Sequence, residues 1–421
     1  MKVLVSAVAC NPTRGSESHF GWTAVRALSQ SHDLWVLAHG NDQPAIEAAV
    51  AAGELSPAVR FYYHHGRAKW GKNRLVSRLK AWRDYAAWSR SVEETARRLD
   101  TEVGFDVIHH VTLSSWRVPC GLWKLGKPLV WGPLGGAEVF PWRLFPTISP
   151  AAKGFEVLRR IQGILASWSP AVRATVRRAS VILSGTPETI TLLLKLAGGS
   201  ADVRQVSSAF FNDTEIARLG GREKKIDGPL RLFAGGEIEG RKGISIALDA
   251  LAIAKRQGLL FTYHVGGQGQ EVESLRTRAN RLGLRDDVEI GTRLSGGDYP
   301  AKLADSHVYL LPSLRDNAPV TLMEAMLSGC VPVVADCGGP GWIVTDDSGI
   351  HVNVTDARQM AGDIAAALLR IDSDRRLLAQ LSDGARQRIR SAFHERNYLG
   401  HIEAAYREAR LKIGKAERLK G

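Results

Sequence analysis

Residues 312–340 read PSLRDNAPVTLMEAMLSGCVPVVADCGGP. An apolar run at 308–311 ends at Pro312, and a polar loop carrying Asp316 and Asn317 follows. Pro319 suits the first turn of a helix, where its missing N–H would be an orphan anyway. That helix is expected to reach about Gly329, with Glu324 in its second turn, before a strand at 331–335. Asp316 then lies on the loop beyond the strand and Glu324 on the adjoining helix, with Thr321 and Leu322 beside the helix start. Carboxylates accept from hydroxyls, and the free amides of a helix N-terminus attract phosphate. A polyol joined to a diphosphate fits such a combination.

Parallel sheets wrapped by helices must hold these residues, because strand-like and helical stretches alternate along nearly the whole chain. Apolar runs fall at 3–7, 34–37, 59–63, 107–109, 129–131 and 181–183, and a second series at 230–234, 261–265, 288–290, 308–311 and 331–335. Between the series, DTEIARLGGREKKIDGP reads as a linker. The expectation is α/β, with two Rossmann-like doubly wound domains facing across a cleft. They span 1–208 and 230–395, with a linker at 209–229 and a helical tail at 396–421 packing back on the first domain. In such sheets ligands gather at the carboxyl ends of the strands. Gly15-Ser16, Gly132–Gly136 and Gly235-Gly236 all fall at such ends.

The chain has 421 residues, 44% hydrophobic and 24% charged, with 42 Gly and 17 Pro, which excludes a rod or a long disordered chain. No run approaches the ~20 apolar residues of a membrane span. Four cysteines, none in a CxxC, suggest reduced thiols and a cytoplasmic setting. MKVLVSAVAC reads as a first strand, its apolar run being too short for a signal core. A net charge of +13 favours anionic partners. The pairs Asp346-Asp347 and Asp372-Ser373-Asp374 read as solvated surface, and no metal site is expected.

The segment with Asp316 and Glu324 resembles the Glu-x7-Glu region of the retaining glycosyltransferases of family 4, which have the GT-B fold. The flanking chain is similar too. Gly236–Gly243 resembles their glycine-to-Lys-Gly phosphate loop, and Gly266-Gly267-Gln268-Gly269 their Gly-x-Gly turn. LGLRDDVEIGTR resembles their segment beside the nucleobase, and Gly338-Gly339-Pro340 their closing turn. The resemblance implies that Glu324 binds the donor ribose and that Asp316, Asn317 and Ala318 face the transferred sugar. Lys242 and Arg241, with Gly236, Thr321 and Leu322, would meet the diphosphate. Arg293 and Leu294 would lie beside the base, and Gly15 would let the first loop approach the phosphate. Ser16, Glu17, His19 and Glu138 are acceptor-side candidates.

Three departures from the family pattern stand out. Asp316 replaces the usual Glu, Glu237 replaces the usual Arg, and HHV replaces His-x-His after Asp-Val-Ile. Arg241 can supply the missing cation, since a guanidinium grips two phosphate oxygens. An ungapped match puts Val111 where the active histidine belongs; His110 is the expected substitute after a small loop shift, with His109 second.

The function implied is metal-independent transfer of a hexose, with retention, from a nucleotide-diphosphate sugar to a glycan or lipid-linked acceptor, without a further cofactor. Polysaccharide biosynthesis is the expected setting. The alternatives are a sugar-nucleotide epimerase and a non-catalytic nucleotide-sugar-binding module. Arg67–Arg90 interleaves eight bases and one acid with Trp70, Trp82, Tyr85 and Trp88, and Leu75, Leu79, Trp82 and Ala86 recur at helical spacing. That pattern suits a helix on an anionic membrane surface, hence a peripheral position on the inner face, or a helix packed on its sheet. No nucleic-acid motif accompanies it.

Overall fold

Apolar β-branched runs punctuated by helices give thirteen strands among the described residues, all paired in parallel. The computed structural model describes residues 1–65, 74–220, 224–292, 294 and 297–418, without the side chains of 74–84, 86, 87, 90 and 415–418. The chain divides into two units, one of 1–137, 162–208 and 398–421, the other of 138–161 and 209–397.

The first unit holds β1 (Lys2–Ala7), β2 (Asp33–His39), β3 (Val59–His64), β4 (Val107–Thr112), β5 (Leu129–Leu134), β6 (Val181–Ser184) and β7 (Val203–Gln205), in the order β3-β2-β1-β4-β5-β6-β7. The second holds β8 (Leu230–Gly235), β9 (Phe261–Gly266), β10 (Val288–Thr292), β11 (Val308–Leu310), β12 (Val331–Ala335) and β13 (Ile350–Val352), ordered β10-β9-β8-β11-β12-β13. Both sheets reverse strand order once, between β1 and β4 and between β8 and β11, where doubly wound sheets bind ligands. All six residues of β4 and all five of β12 are buried, as expected for parallel strands covered on both faces.

The structure redraws two expected boundaries. Residues 138–161 fold with the second unit instead of continuing the first to 208: Ile148 and Leu144 join the apolar core built on β8. The stretch expected as a linker contains the Asp213–Gly220 helix. There Phe211 pairs with the 393–395 backbone, its amide donating to the Phe393 carbonyl at 2.9 Å. At the other end, 398–421 groups with the first unit. Tyr398, Ile402, Ala405, Tyr406 and Ala409 lie on one buried stripe of the Glu395–Arg418 helix, with Tyr398 edge-on to Phe20.

Candidate functional site

In the second unit the phosphate-loop candidates converge on one carboxylate. The Lys242 ammonium bonds Asp316 Oδ2, and Arg241 Nη1 reaches Asp316 Oδ1 at 3.2 Å. Arg241 is also held by Glu239 (2.7 Å) and the Arg315 carbonyl (2.9 Å). Burial alone would raise the Asp316 carboxyl, but the charges of Lys242 and then Arg241 outweigh it and hold it down to about 2. Asp316 therefore occupies the cations that the sequence reserves for a diphosphate, as an anionic group already in place. Behind it, Arg315 forks onto Glu156 (2.7 and 3.1 Å) and ties the loop to the Pro150–Trp168 helix.

Eight residues after Asp316, Glu324 rises from the Val320–Leu327 helix. Tyr299 donates to its Oε2 at 2.7 Å. Burial pushes the Glu324 carboxyl up, and the Tyr299 bond offsets this only in part. Pro319 stands at the N-cap, one position before the first turn expected for it, and offers no side-chain hydrogen bond; its carbonyl accepts from the Leu322 amide at 3.0 Å. Thr321 pins the helix start to the end of β8, donating to the Gly235 carbonyl (3.2 Å) and sharing a hydrogen bond with Tyr309 (2.8 Å). Leu322 is turned away into the core, so its side chain is closed to a ligand; Ala318 is half-buried against that core. Asn317 Oδ1 is buried with no partner among the described residues.

Glycines bring the loops together. At Gly267, with φ +136°, a Cβ would stand 1.9 Å from the Gly236 carbonyl oxygen; at Gly339 it would stand 1.6 Å from that of Asn317. Neither position tolerates a side chain without moving backbone. Gly236 itself is exposed, as is Glu237. Glu138 is buried near Arg159 (3.9 Å) and beside Gly338, so it stands at this site and in this unit. Leu294 is half-buried against the core; Arg293 lies outside the described residues.

The first-unit candidates are placed differently. His110, expected to reach a sugar after a loop shift, is 1% exposed. It stands opposite Ser6 of β1, and its Nδ1 shares a 2.9 Å hydrogen bond with the Ser6 hydroxyl. Alternation along β4 sends His109 to the opposite face, also buried. His109 Nε2 must donate to the Gly132 carbonyl (2.9 Å), leaving Nδ1 to accept from Tyr406 (2.8 Å). Burial lowers both, His109 to about 4 and His110 to about 3, so both are neutral at pH 7. Val111 is fully buried as well.

Glu17 accepts from the Ser114 amide, fastening the Glu17–Leu28 helix to the chain beyond β4, and burial raises its carboxyl. Gly15 is exposed with open space around it, and His19 is half-buried. Ser16 has φ +59°, ψ −134°, a conformation proper to glycine, and its side chain makes no capping bond. Trp116 and Trp131 are core residues, whereas Trp142 is exposed. Of the basic segment, 66–73 and most side chains to Arg90 lie outside the described residues; Trp88 is buried in the sheet core.

Sequence reasoning missed Tyr299, Tyr309 and the Arg315–Glu156 fork. Tyr299 sits 25 residues from its partner and Glu156 lies 159 from Arg315, so no local spacing announces either pair. Among the described residues no group of three or more His, Cys, Asp or Glu is gathered to hold a metal, and no helix is long and apolar enough to cross a membrane.

A family model described as "Glycosyl transferases group 1" matches residues 221–388, the stretch containing Lys242, Asp316 and Glu324. WcaL of Escherichia coli K12, a putative colanic acid biosynthesis glycosyltransferase, is 33% identical over 175 residues, 40% of this chain and 42% of its own. The chain thus spans about two-fifths of the length of the first curated relatives it matches. Sucrose-phosphate synthase from Thermosynechococcus elongatus superposes with a TM-score of 0.61 at 16% identity, over 99% of this chain and 98% of its own. HepE of Anabaena, solved in complex with UDP and glucose, gives 0.58 at 18% identity over 96% and 98%. The fold class is GT-B, with two Rossmann-like doubly wound sheets.

Proposed function

We propose that this chain is a retaining, metal-independent glycosyltransferase that moves a hexose from a nucleotide-diphosphate sugar to a glycan or lipid-linked acceptor in polysaccharide biosynthesis. The observation that carries the reading is the convergence of Lys242 and Arg241 on Asp316, eight residues before Glu324 on an uncapped helix.

Glu324 accepts the ribose hydroxyls, and Leu294, with Arg293, lies beside the base. The diphosphate enters the cation pocket, and its oxygens replace Asp316 on Lys242 and Arg241, with Gly236 and the amides beside Thr321 completing the cradle. Asp316, freed from the pair, turns with Asn317 and Ala318 to the transferred sugar. The bond from the sugar's anomeric carbon to the diphosphate oxygen breaks as the acceptor oxygen bonds on the same face. The acceptor's proton passes to the departing phosphate oxygen, leaving a nucleoside diphosphate. Catalysis is chiefly electrostatic: preorganised cations stabilise the charge that grows on the leaving group. A neutral, buried histidine takes no step. Ser16, Glu17, His19 and Glu138 are the acceptor-side residues of this reading.

Incubation with a panel of nucleotide sugars and acceptors, followed by proton NMR, tests this. A new α-glycoside with release of the nucleoside diphosphate is expected. A new sugar nucleotide would indicate epimerisation, and binding without turnover a non-catalytic module; either rejects the proposal.

A further inference from the structure

Among the described residues eleven large hydrophobic side chains are exposed, and seven of them fall between Val139 and Trp168. Ile161, Ile164, Leu165 and Trp168 recur at i, i+3, i+4 and i+7 on the Pro150–Trp168 helix and so form one stripe. They are far from marginal, with Leu165 61% and Trp168 71% exposed, while Ala166 and Glu156 on the other side are buried. The chain then turns at Ser169 into the Pro170–Arg178 helix, leaving a shallow depression lined by Trp168, Pro170, Arg173, Ala174 and Arg177.

The exposed charge carried by these two helices has one sign. Residues 150–178 contain Lys153, Arg159, Arg160, Arg173, Arg177 and Arg178 and a single acid, Glu156, which is buried and bound to Arg315. Arg160 lies over the ring of exposed Trp142 at 4.3 Å. An apolar stripe ending in tryptophan, on a stretch of chain whose one acid is buried, complements acyl chains beneath anionic headgroups. A second copy of the chain would bring cations against cations across a two-fold axis.

We infer that the exposed face formed by residues 164–178, within the first unit, docks this protein on an anionic lipid bilayer. Leu165 and Ile164 enter the acyl boundary, Trp168 sits at headgroup level, and Arg173 and Arg177 meet lipid phosphates. These residues are distinct in sequence from the basic segment at 67–90, and the inference does not depend on the sugar-transfer reading.

Co-sedimentation of the full chain with phosphatidylcholine vesicles, with and without about a third phosphatidylglycerol, tests it at low and high salt. Binding is expected only with phosphatidylglycerol, and it weakens with salt. An Ile164→Glu/Leu165→Glu variant loses at least about ten-fold in partitioning with its circular dichroism unchanged. Arg177→Gln, an exposed position that leaves the apolar stripe intact and so guards against misfolding, loses about five-fold. Absence of wild-type binding at low salt overturns the inference. So does full binding by both variants, or loss confined to Arg74→Gln/Arg78→Gln. A dimer seen by light scattering and dissolved by the glutamate variant assigns the face to a second copy instead.

Discussion

The switch points of the two sheets share a topology and differ in what they do with polar side chains. At β1 and β4 of the first unit, Ser6, His109 and His110 are buried; Ser6 bonds His110, His109 bonds Tyr406 and the Gly132 carbonyl, and both imidazoles are held neutral. At β8 and β11 of the second, Lys242, Arg241, Asp316 and Glu324 lie on the loops and helix beyond the strands, where opposite charges face one another. Histidines within a strand serve packing; charges beyond its end remain able to exchange partners with a ligand. Topology alone therefore does not say which unit carries the chemistry.

The largest test of that contrast is Lys242→Met. Loss of the ammonium should lower kcat/KM by about 10²- to 10³-fold and abolish nucleoside diphosphate uptake in calorimetry. A variant that still binds UDP, GDP, ADP and TDP no more weakly than the wild type would remove the second unit's claim.

Acid sensitivity comes next. The folded-state pKa of Asp316 lies below its ordinary value, so the stability it contributes is present above the usual aspartate range. It is lost as pH falls through about 2. The shift corresponds to about 2 kcal/mol, and Asp316→Asn should flatten this acid limb in denaturant titrations. An unchanged acid limb in that variant would show that the ion pair is not a stabilising element.

Glu324 titrates the other way: its raised pKa means that the carboxylate forms only as pH rises past the ordinary glutamate range. Tyr299→Phe removes a donor to that carboxylate and should raise it further. The donor KM is expected to rise about five-fold and the acid side of its pH profile to move upward, with kcat nearly constant. A fall in kcat at constant KM would instead put Tyr299 at the reacting centre.

The smallest effect on activity belongs to the first unit. Ser6→Ala should cost about 1 kcal/mol of stability by orphaning His110, while kcat/KM stays within about two-fold. A hundred-fold loss of kcat with an unchanged melting temperature would break the comparison, because His110 would then be acting on substrate.

Much of this molecule is legible in local pattern. Short continuous apolar runs mark the strands, and Pro319 with the spacing of Asp316 and Glu324 marks a loop followed by a helix. The glycines at 236, 267 and 339 mark turns beyond strands, since residue type is local, whereas the backbone that Gly267 and Gly339 each meet lies tens of residues away. The assignment of 138–161 to the second unit is not legible in this way, since membership depends on which core Leu144 and Ile148 enter. Nor is the burial of His110. A two-histidine run reads the same whether it ends a strand or fills one, and only strand pairing puts Ser6 beside it.

Sequence by itself determined the doubly wound class and the identity of the charged groups, because period and residue type are local quantities. Tertiary structure decided that Asp316 neutralises Lys242 and Arg241, that Tyr299 holds Glu324, and that Leu165 and Trp168 stay outside. Partnership and exposure depend on chain segments brought together from far apart in sequence, and no spacing within one segment encodes them.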